Sequence, residues 1–368
     1  MSVLGGFIMK KKILMFVGWN ICNVEDDDKK RHPANFVINH EKYWFFKYWK
    51  RNDVQVDVMG TNSVAFIEHI EKKWLKFYIL KPLYAFFIQK NYDIIICFHS
   101  QVAILLALLR SLFWIKYPPL VIIDVEGLGR KNNKIISFFL RKAIIYIDHI
   151  FYLSLIQKQD YALYIPEVLD RIQFLTWGVD LSYYEYENIP EENYIVSIGY
   201  QDKNFRDWTT LIKAFNLVKN KIKLIVIGKN SFNKNDINTK VDLDNVEFAG
   251  HVNVPQLNKL ILKSKCVVLP LPERRHAYGQ MTLVGCMALK RVVIASCVSG
   301  VMDYGKNGES LLFVEPMNAA KLAEKIDYVL DNPERSKSIG IEARKAVEKY
   351  YTEELMANTI FDAINKYI

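Results

Sequence analysis

The chain has 368 residues, 51% of them hydrophobic and 24% charged, which excludes collagen, a disordered polymer and a small disulfide scaffold and sets an expectation of two or three globular domains. A formal net charge of +9 beside 13% aromatic residues points to an anionic partner surface, either nucleic acid or the face of a membrane. Five cysteines (Cys22, Cys97, Cys266, Cys286, Cys297) show no C-x-x-C or Cys/His ligand spacing, so neither a disulfide framework nor a zinc site is expected and a reducing compartment fits.

Lys10-Lys11-Lys12 followed by an apolar run imitates a signal peptide, but Glu25-Asp26-Asp27-Asp28 comes next without a small-residue cleavage site, and a buried first strand is the preferred reading. Apolar, β-branched runs recur between longer helical patterns at residues 13–17, 54–58, 93–97, 120–124 and 149–153, the alternation of a parallel sheet covered by helices. Residues 71–142 hold 12 Lys/Arg against 4 Asp/Glu, so nearly all of the net charge sits there. Within this stretch residues 71–81 interleave Lys72, Lys73 and Lys76 with large apolar side chains and read as a basic amphipathic helix interrupted near Pro82. The apolar run 102–115 is broken by Arg110 and falls short of the roughly 20 residues of a spanning helix.

Residues 182–193, polar apart from tyrosines and one isoleucine, read as a linker. A second strand series follows at 194–199, 223–228, 246–248, 266–269 and 292–295, and the chain ends in helical patterns after the Asp331-Asn332-Pro333 break. The expected organisation is therefore two α/β doubly wound domains, residues 1–185 and 186–350, facing each other across a cleft, with 351–368 as a helix packing back toward the first.

Two loops in the second half carry candidate chemistry. After the 194–199 strand a basic loop with Lys203 and Arg206 leads into a helix near Asp207, and a positive side chain at a helix N-terminus suits a diphosphate. After the 266–269 strand, the polar loop 273–280 opens onto a helix over 281–289. There Gly279 permits close backbone approach, and Gln280, Met281 and Thr282 present main-chain N–H groups to an anion, with the Thr282 hydroxyl as a further donor. No G-x-x-x-x-G-K-[ST] exists and no G-x-G-x-x-G follows the first strand, so a P-loop is excluded and a nicotinamide cofactor disfavoured.

The run from Gly279 to Ala295, with Gly300-Val301-Met302-Asp303-Tyr304, Asn307-Gly308 and Trp177-Gly178-Val179-Asp180, resembles the donor-binding half of GT-B glycosyltransferases of family 4. The resemblance covers about 140 residues and implies two Rossmann-like domains, the first on the acceptor side and the second binding a nucleotide sugar. It also implies transfer with retention and no metal or other cofactor. Under it, Arg206 or Lys203 contacts the diphosphate, while Gly279, Gln280, Met281 and Thr282 cradle its distal part and the sugar. Two departures stand out. Ala277 and Gly285 occupy the positions where many members carry glutamates, leaving Glu273 as the nearby carboxylate. The N-terminal His-Gly pair is replaced by Glu126-Gly127.

Glu126 is the candidate catalytic carboxylate, because glycosyl transfer develops oxocarbenium-like charge; its alternative is an acidic residue at a helix N-terminus or a partner for Arg130. His99, just past a strand end, is a second catalytic candidate. The leading expectation is a cytoplasmic glycosyltransferase, peripheral at an anionic membrane surface, that uses a nucleoside diphosphate sugar and a lipid-linked or surface-polysaccharide acceptor. Alternatives are an inactive binding subunit of a glycan assembly complex and a nucleotide-sugar epimerase. No recognition motif accompanies the charge, so nucleic acid is not an expected partner.

Overall fold

The computed structural model describes residues 10–50, 53–60, 79–98, 100–129, 134–187, 189–199, 205–228 and 242–367. The chain divides into two compact units, Met1–Asp27 with His32–Leu175 and Ala357–Ile368, and Asp28–Arg31 with Thr176–Met356. The basic stretch 71–78, with Lys72, Lys73 and Lys76, lies outside the described residues.

The first unit opens with β1 (Lys11–Phe16), followed by a small parallel pair, β2 (Cys22–Val24) and β3 (Phe36–Ile38). Then come β4 (Val54–Met59), α1 (Leu80–Ile88), β5 (Ile94–Cys97), α2 (Ser100–Phe113), β6 (Leu120–Asp124), α3 (Lys134–Ile144), β7 (His149–Tyr152), α4 (Leu155–Tyr164) and β8 (Ile172–Phe174). Six strands form one parallel sheet in the order β4-β1-β5-β6-β7-β8. The central strands β5 and β6 are buried at every position, which is why they read as unbroken apolar runs rather than alternating ones. Inner stripes of the helices, among them Ala85, Val102, Leu106, Leu140 and Ala143, pack with Leu14, Ile95 and Ile122 in one core. Pro82 does not interrupt α1 but sits in its first turn, where a missing N–H breaks no intrahelical bond.

The second unit contains β9 (Tyr194–Ile198), α5 (Trp208–Phe215), β10 (Lys223–Ile227), β11 (Val246–Gly250), α6 (Val254–Lys263), β12 (Val267–Leu269), α7 (Gln280–Ala288), β13 (Val293–Ser296), β14 (Leu312–Val314), α8 (Ala319–Asp331) and α9 (Pro333–Tyr350). Its parallel sheet runs β11-β10-β9-β12-β13-β14, so the order reverses between β9 and β12. The last helix, α10 (Glu353–Ile364), starts in the second unit and ends in the first. There the Trp49 indole packs 5.2 Å from the Phe361 ring and donates its Nε1–H to Ala357 O at 3.0 Å. Tyr367 donates to Asp148 O at 3.4 Å.

Candidate functional site

In an open parallel sheet, ligands bind beyond the carboxyl ends of the strands where the order reverses. In the second unit that point is the end of β9 beside the end of β12. β9 runs into Gly199, whose φ is +145°. A Cβ there would lie 2.3 Å from Arg206 Nε, so glycine is what lets the guanidinium fold back over the strand end. Arg206 Nε donates to Ile198 O at 2.7 Å, Nη1 to Phe205 O at 2.7 Å and Nη2 to Thr282 Oγ1 at 3.3 Å. The side chain is 5% exposed. Burial draws its pKa down to about 10, which leaves it cationic at neutral pH. Gly228, at the end of β10 with φ +150°, backs onto the same place, since a Cβ on it would lie 1.8 Å from Gly199 O. Asp207 N donates to Pro270 O at 2.8 Å, tying this loop to the end of β12, and the Asp207 carboxylate caps α5 through Thr210 N at 3.0 Å.

The β12 loop supplies the other wall. Gly279 precedes α7 in the left-handed region with φ +86°, and no side chain caps the helix. The first-turn amides of Gln280, Met281 and Thr282 therefore form an open, partly positive helix end. Gln280 is buried and donates from Nε2 to Gly300 O at 2.5 Å, fixing the loop after β13 beside the turn. Met281 is exposed. Tyr278 Oη donates to Pro272 O. Glu273 accepts from Ser299 Oγ at 2.8 Å and Ser299 N at 3.3 Å, so it joins the same loop one residue before Gly300. The Arg206–Thr282 bond thus brings together two features 76 residues apart. Lys203 lies outside the described residues. Gly285, where the resemblance leads one to look for a glutamate, faces Tyr184, and a Cβ would stand 3.0 Å from the Tyr184 ring and hydroxyl. The tyrosine fills the room that a longer side chain would need.

In the first unit the order reverses between β1 and β5, and a cluster of polar groups gathers one strand further on, at the end of β6. Asp124 has no exposed surface and is ringed by donors. Oδ1 accepts from Ser100 Oγ at 2.9 Å, Glu126 N at 3.2 Å and Gly127 N at 2.9 Å, and Oδ2 from Leu128 N at 2.8 Å, Gln157 Nε2 at 3.1 Å and Tyr161 Oη at 2.7 Å. Burial raises its pKa above the usual carboxylate range, while these donors pull the other way. Asp124 escaped the sequence reading because an acid at the end of an apolar strand looks like any loop acid, and its side-chain partners are 24 to 37 residues away. Glu126 accepts from Ser100 N at 3.0 Å through Oε2, placing its carboxylate on the N-terminus of α2. His99 and Arg130 lie outside the described residues.

Residues 185–346 match the family described as Glycosyl transferases group 1. This segment is similar to group 1 glycosyltransferase domains. The chain is 26% identical over 211 residues to the capsular polysaccharide biosynthesis glycosyltransferase CapM of Staphylococcus aureus, covering 54% of this chain and 53% of that one. It is 28% identical over 144 residues to an uncharacterized glycosyltransferase of Methanocaldococcus jannaschii, covering 39% and 40%. The matches therefore span about half or less of these relatives' lengths. Among solved structures, sucrose-phosphate synthase from Thermosynechococcus elongatus aligns with TM-score 0.73 at 15% identity, over 97% of this chain and 99% of that one. HepE of Anabaena in complex with UDP and glucose aligns with TM-score 0.67 at 14% identity, over 96% and 99%. The fold is GT-B, two parallel-sheet α/β units with a helical C-terminal tail, the second unit holding the segment that matches the group 1 family.

Proposed function

We propose that the protein transfers a sugar from a nucleoside diphosphate donor to a lipid-linked or surface-polysaccharide acceptor, with retention at the anomeric carbon and no metal cofactor. The observation that carries this reading is the uncapped α7 N-terminus at the strand-order reversal, backed by the buried Arg206 cation. In the transfer, the acceptor oxygen bonds to the anomeric carbon, the bond from that carbon to the diphosphate oxygen breaks, and the acceptor hydroxyl's proton passes to the departing diphosphate oxygen. Negative charge grows on the leaving diphosphate. The amides of Gln280, Met281 and Thr282, with the Thr282 hydroxyl, are donors of the kind that stabilise it. Glu273, held by Ser299 in the loop next to Gly300, is the carboxylate proposed for the ribose or sugar hydroxyls. Glu126 and His99 are the proposed catalytic-side residues of the first unit, and Lys203 a further diphosphate contact. The UDP and glucose held by HepE and the capsular role in CapM's name support the donor class and the acceptor class respectively.

Titration of the chain with UDP-sugars, followed by thermal shift, tests the donor part. A bound donor raises the melting temperature by mass action, and Thr282→Val should reduce that shift by removing a donor group worth about 1 to 3 kcal/mol when its acceptor is charged. No shift with any nucleotide sugar would sink the reading in favour of a non-catalytic subunit. Product formed without any acceptor would favour an epimerase.

The working place proposed is the cytoplasmic face of an anionic membrane. Among the described residues no helix is long and apolar enough to cross a membrane. The outer sides of α1 and α3 and the end of α2 are nonetheless apolar: Phe87 is 72% and Trp114 86% exposed, with Phe113, Tyr117, Ile135 and Phe139 also exposed. Exposed Lys90, Lys116, Arg141 and Lys142 are interleaved with them in sequence. Aromatic and basic side chains together suit a headgroup interface. Flotation with phosphatidylserine liposomes should carry the wild-type chain upward and leave Phe87→Ser/Trp114→Ser behind. Equal recovery of both at the bottom of the gradient removes the membrane from the proposal.

A further inference from the structure

We infer that Asp124 is a positioning residue for Glu126: its buried carboxylate sets where the Glu126 carboxylate stands beyond the first sheet. The role rests on the reading of Glu126 as a catalytic-side residue.

Both ends of Glu126 depend on the same aspartate oxygen. The Glu126 main-chain N–H donates to Asp124 Oδ1 at 3.2 Å, Glu126 Oε2 accepts from Ser100 N at 3.0 Å, and the Ser100 hydroxyl donates to Asp124 Oδ1 at 2.9 Å. The three residues thus close a ring of hydrogen bonds. Gly127, at φ +75°, turns the chain so that its own N–H and that of Leu128 follow the Glu126 N–H onto the same carboxylate. On the other side Gln157 Nε2 and Tyr161 Oη, both from α4, donate to Oδ2. Asp124 is therefore fixed by α4, and in turn fixes the loop after β6 and the first residue of α2.

The ring has a direction. Ser100 follows β5, one of the two strands between which the order of the first sheet reverses, and ligands of open parallel sheets bind beyond such a reversal. Glu126 leaves from β6, one strand away, so the bond from Ser100 N draws its carboxylate toward the reversal. Asp124 and Ser100 are buried, whereas Glu126 is only half-buried, which makes the glutamate the member of the ring that a ligand can reach. A carboxylate opposes positive charge on a sugar ring best when it is held in advance where that charge develops. Bonds to an inaccessible neighbour supply the holding.

The partners also require an aspartate. Three of the six donors are main-chain N–H groups, which can only donate, and they are divided between both carboxylate oxygens. An asparagine, whichever way its amide turns, sets an NH2 group against at least one of them. Asp124→Asn therefore keeps the size of the side chain and loses its grip on the loop.

The test is a double-mutant cycle on the full chain. Release of the nucleoside diphosphate to water from UDP-glucose, UDP-N-acetylglucosamine and GDP-mannose is measured for the wild type, Asp124→Asn, Glu126→Gln and the double variant. The expected kcat is lower by about tenfold or more in each single variant, with the donor KM within about twofold of wild type. Adding Asp124→Asn to Glu126→Gln should cost less than about twofold more, because an aspartate that acts through Glu126 has nothing left to act on. Should Asp124→Asn lack a native circular dichroism spectrum, Ser100→Ala replaces it. That variant removes one bond of the ring, and a loss of about threefold with the same dependence on Glu126 is expected. Equal losses in the two backgrounds, or a raised donor KM, overturn the positioning role while leaving Glu126 in place. A Glu126→Gln chain as fast as the wild type, or a wild type that releases nothing from any of the three donors, removes the reading of Glu126 and the role of Asp124 with it.

Discussion

His149 opens β7 with its imidazole inside the first unit, ring to ring with Phe151 at 4.6 Å and with no partner on Nε2. Burial first, and then the Lys366 charge, hold its pKa down at about 4 against 6.5 when free, with a hydrogen bond to Gln173 opposing them. The unfolded chain therefore takes up the proton first. Stability from the neutral imidazole is complete above pH 6.5, declines as the pH falls, and is gone below about pH 4. With allowance for partial solvent screening, the loss is roughly 2 kcal/mol. Urea melts across that window should show the decline in the wild type and a flatter curve in His149→Phe; equal slopes would falsify the assignment. The same scale shows what sequence can and cannot expose. Gly279, Gln280 and Thr282 were legible because a glycine before an apolar helix leaves a local signature. The burial of Arg206 was not, because it depends on a carbonyl at the end of its own strand and on a hydroxyl 76 residues away.

At the scale of elements, strands buried on both faces, such as β5, β6, β9 and β13, announce themselves as apolar runs, while the edge strand β4 shows instead the alternation of Val54, Val56 and Val58 with polar residues. The short strands β2, β3, β8 and β14 have three residues apiece and are only partly buried, so they carry neither alternation nor the unbroken apolar run that marks the equally short, fully buried β12. The start of α7 is the element on which the donor reading depends. Gly279→Ala places a side chain at φ +86° and a Cβ 3.0 Å from Leu271 Cδ1. Because Leu271 can shift its tip, the expected cost is the conformational one, about 1 kcal/mol, read as a lowered urea midpoint. The thermal shift given by a nucleotide sugar should fall with it, as the turn relaxes and its amides lose their common aim. A variant of normal stability and normal donor response would show that the left-handed turn is incidental.

For the whole molecule, the division into units does not follow a single cut in the sequence. The first unit is interrupted at Leu175 and resumes at Ala357, and the returning segment supplies Ala357 and Phe361 to Trp49 and Tyr367 to Asp148. Removing residues 357–368 takes a buried face from the Trp49 cluster, a change on the order of 3 to 5 kcal/mol by analogy with deleting a large core side chain. The expected outcome is early unfolding of the first unit in limited proteolysis while the second unit stays resistant. Equal resistance of both units would contradict the assignment of that segment. The same interruption orders events at the ribosome. Residues 176–356 have emerged before the segment that closes the first unit is made, and domains generally fold as units during synthesis. The first unit is therefore finished after the second, and waits with its Trp49 pocket uncovered until residues 357–368 have been made.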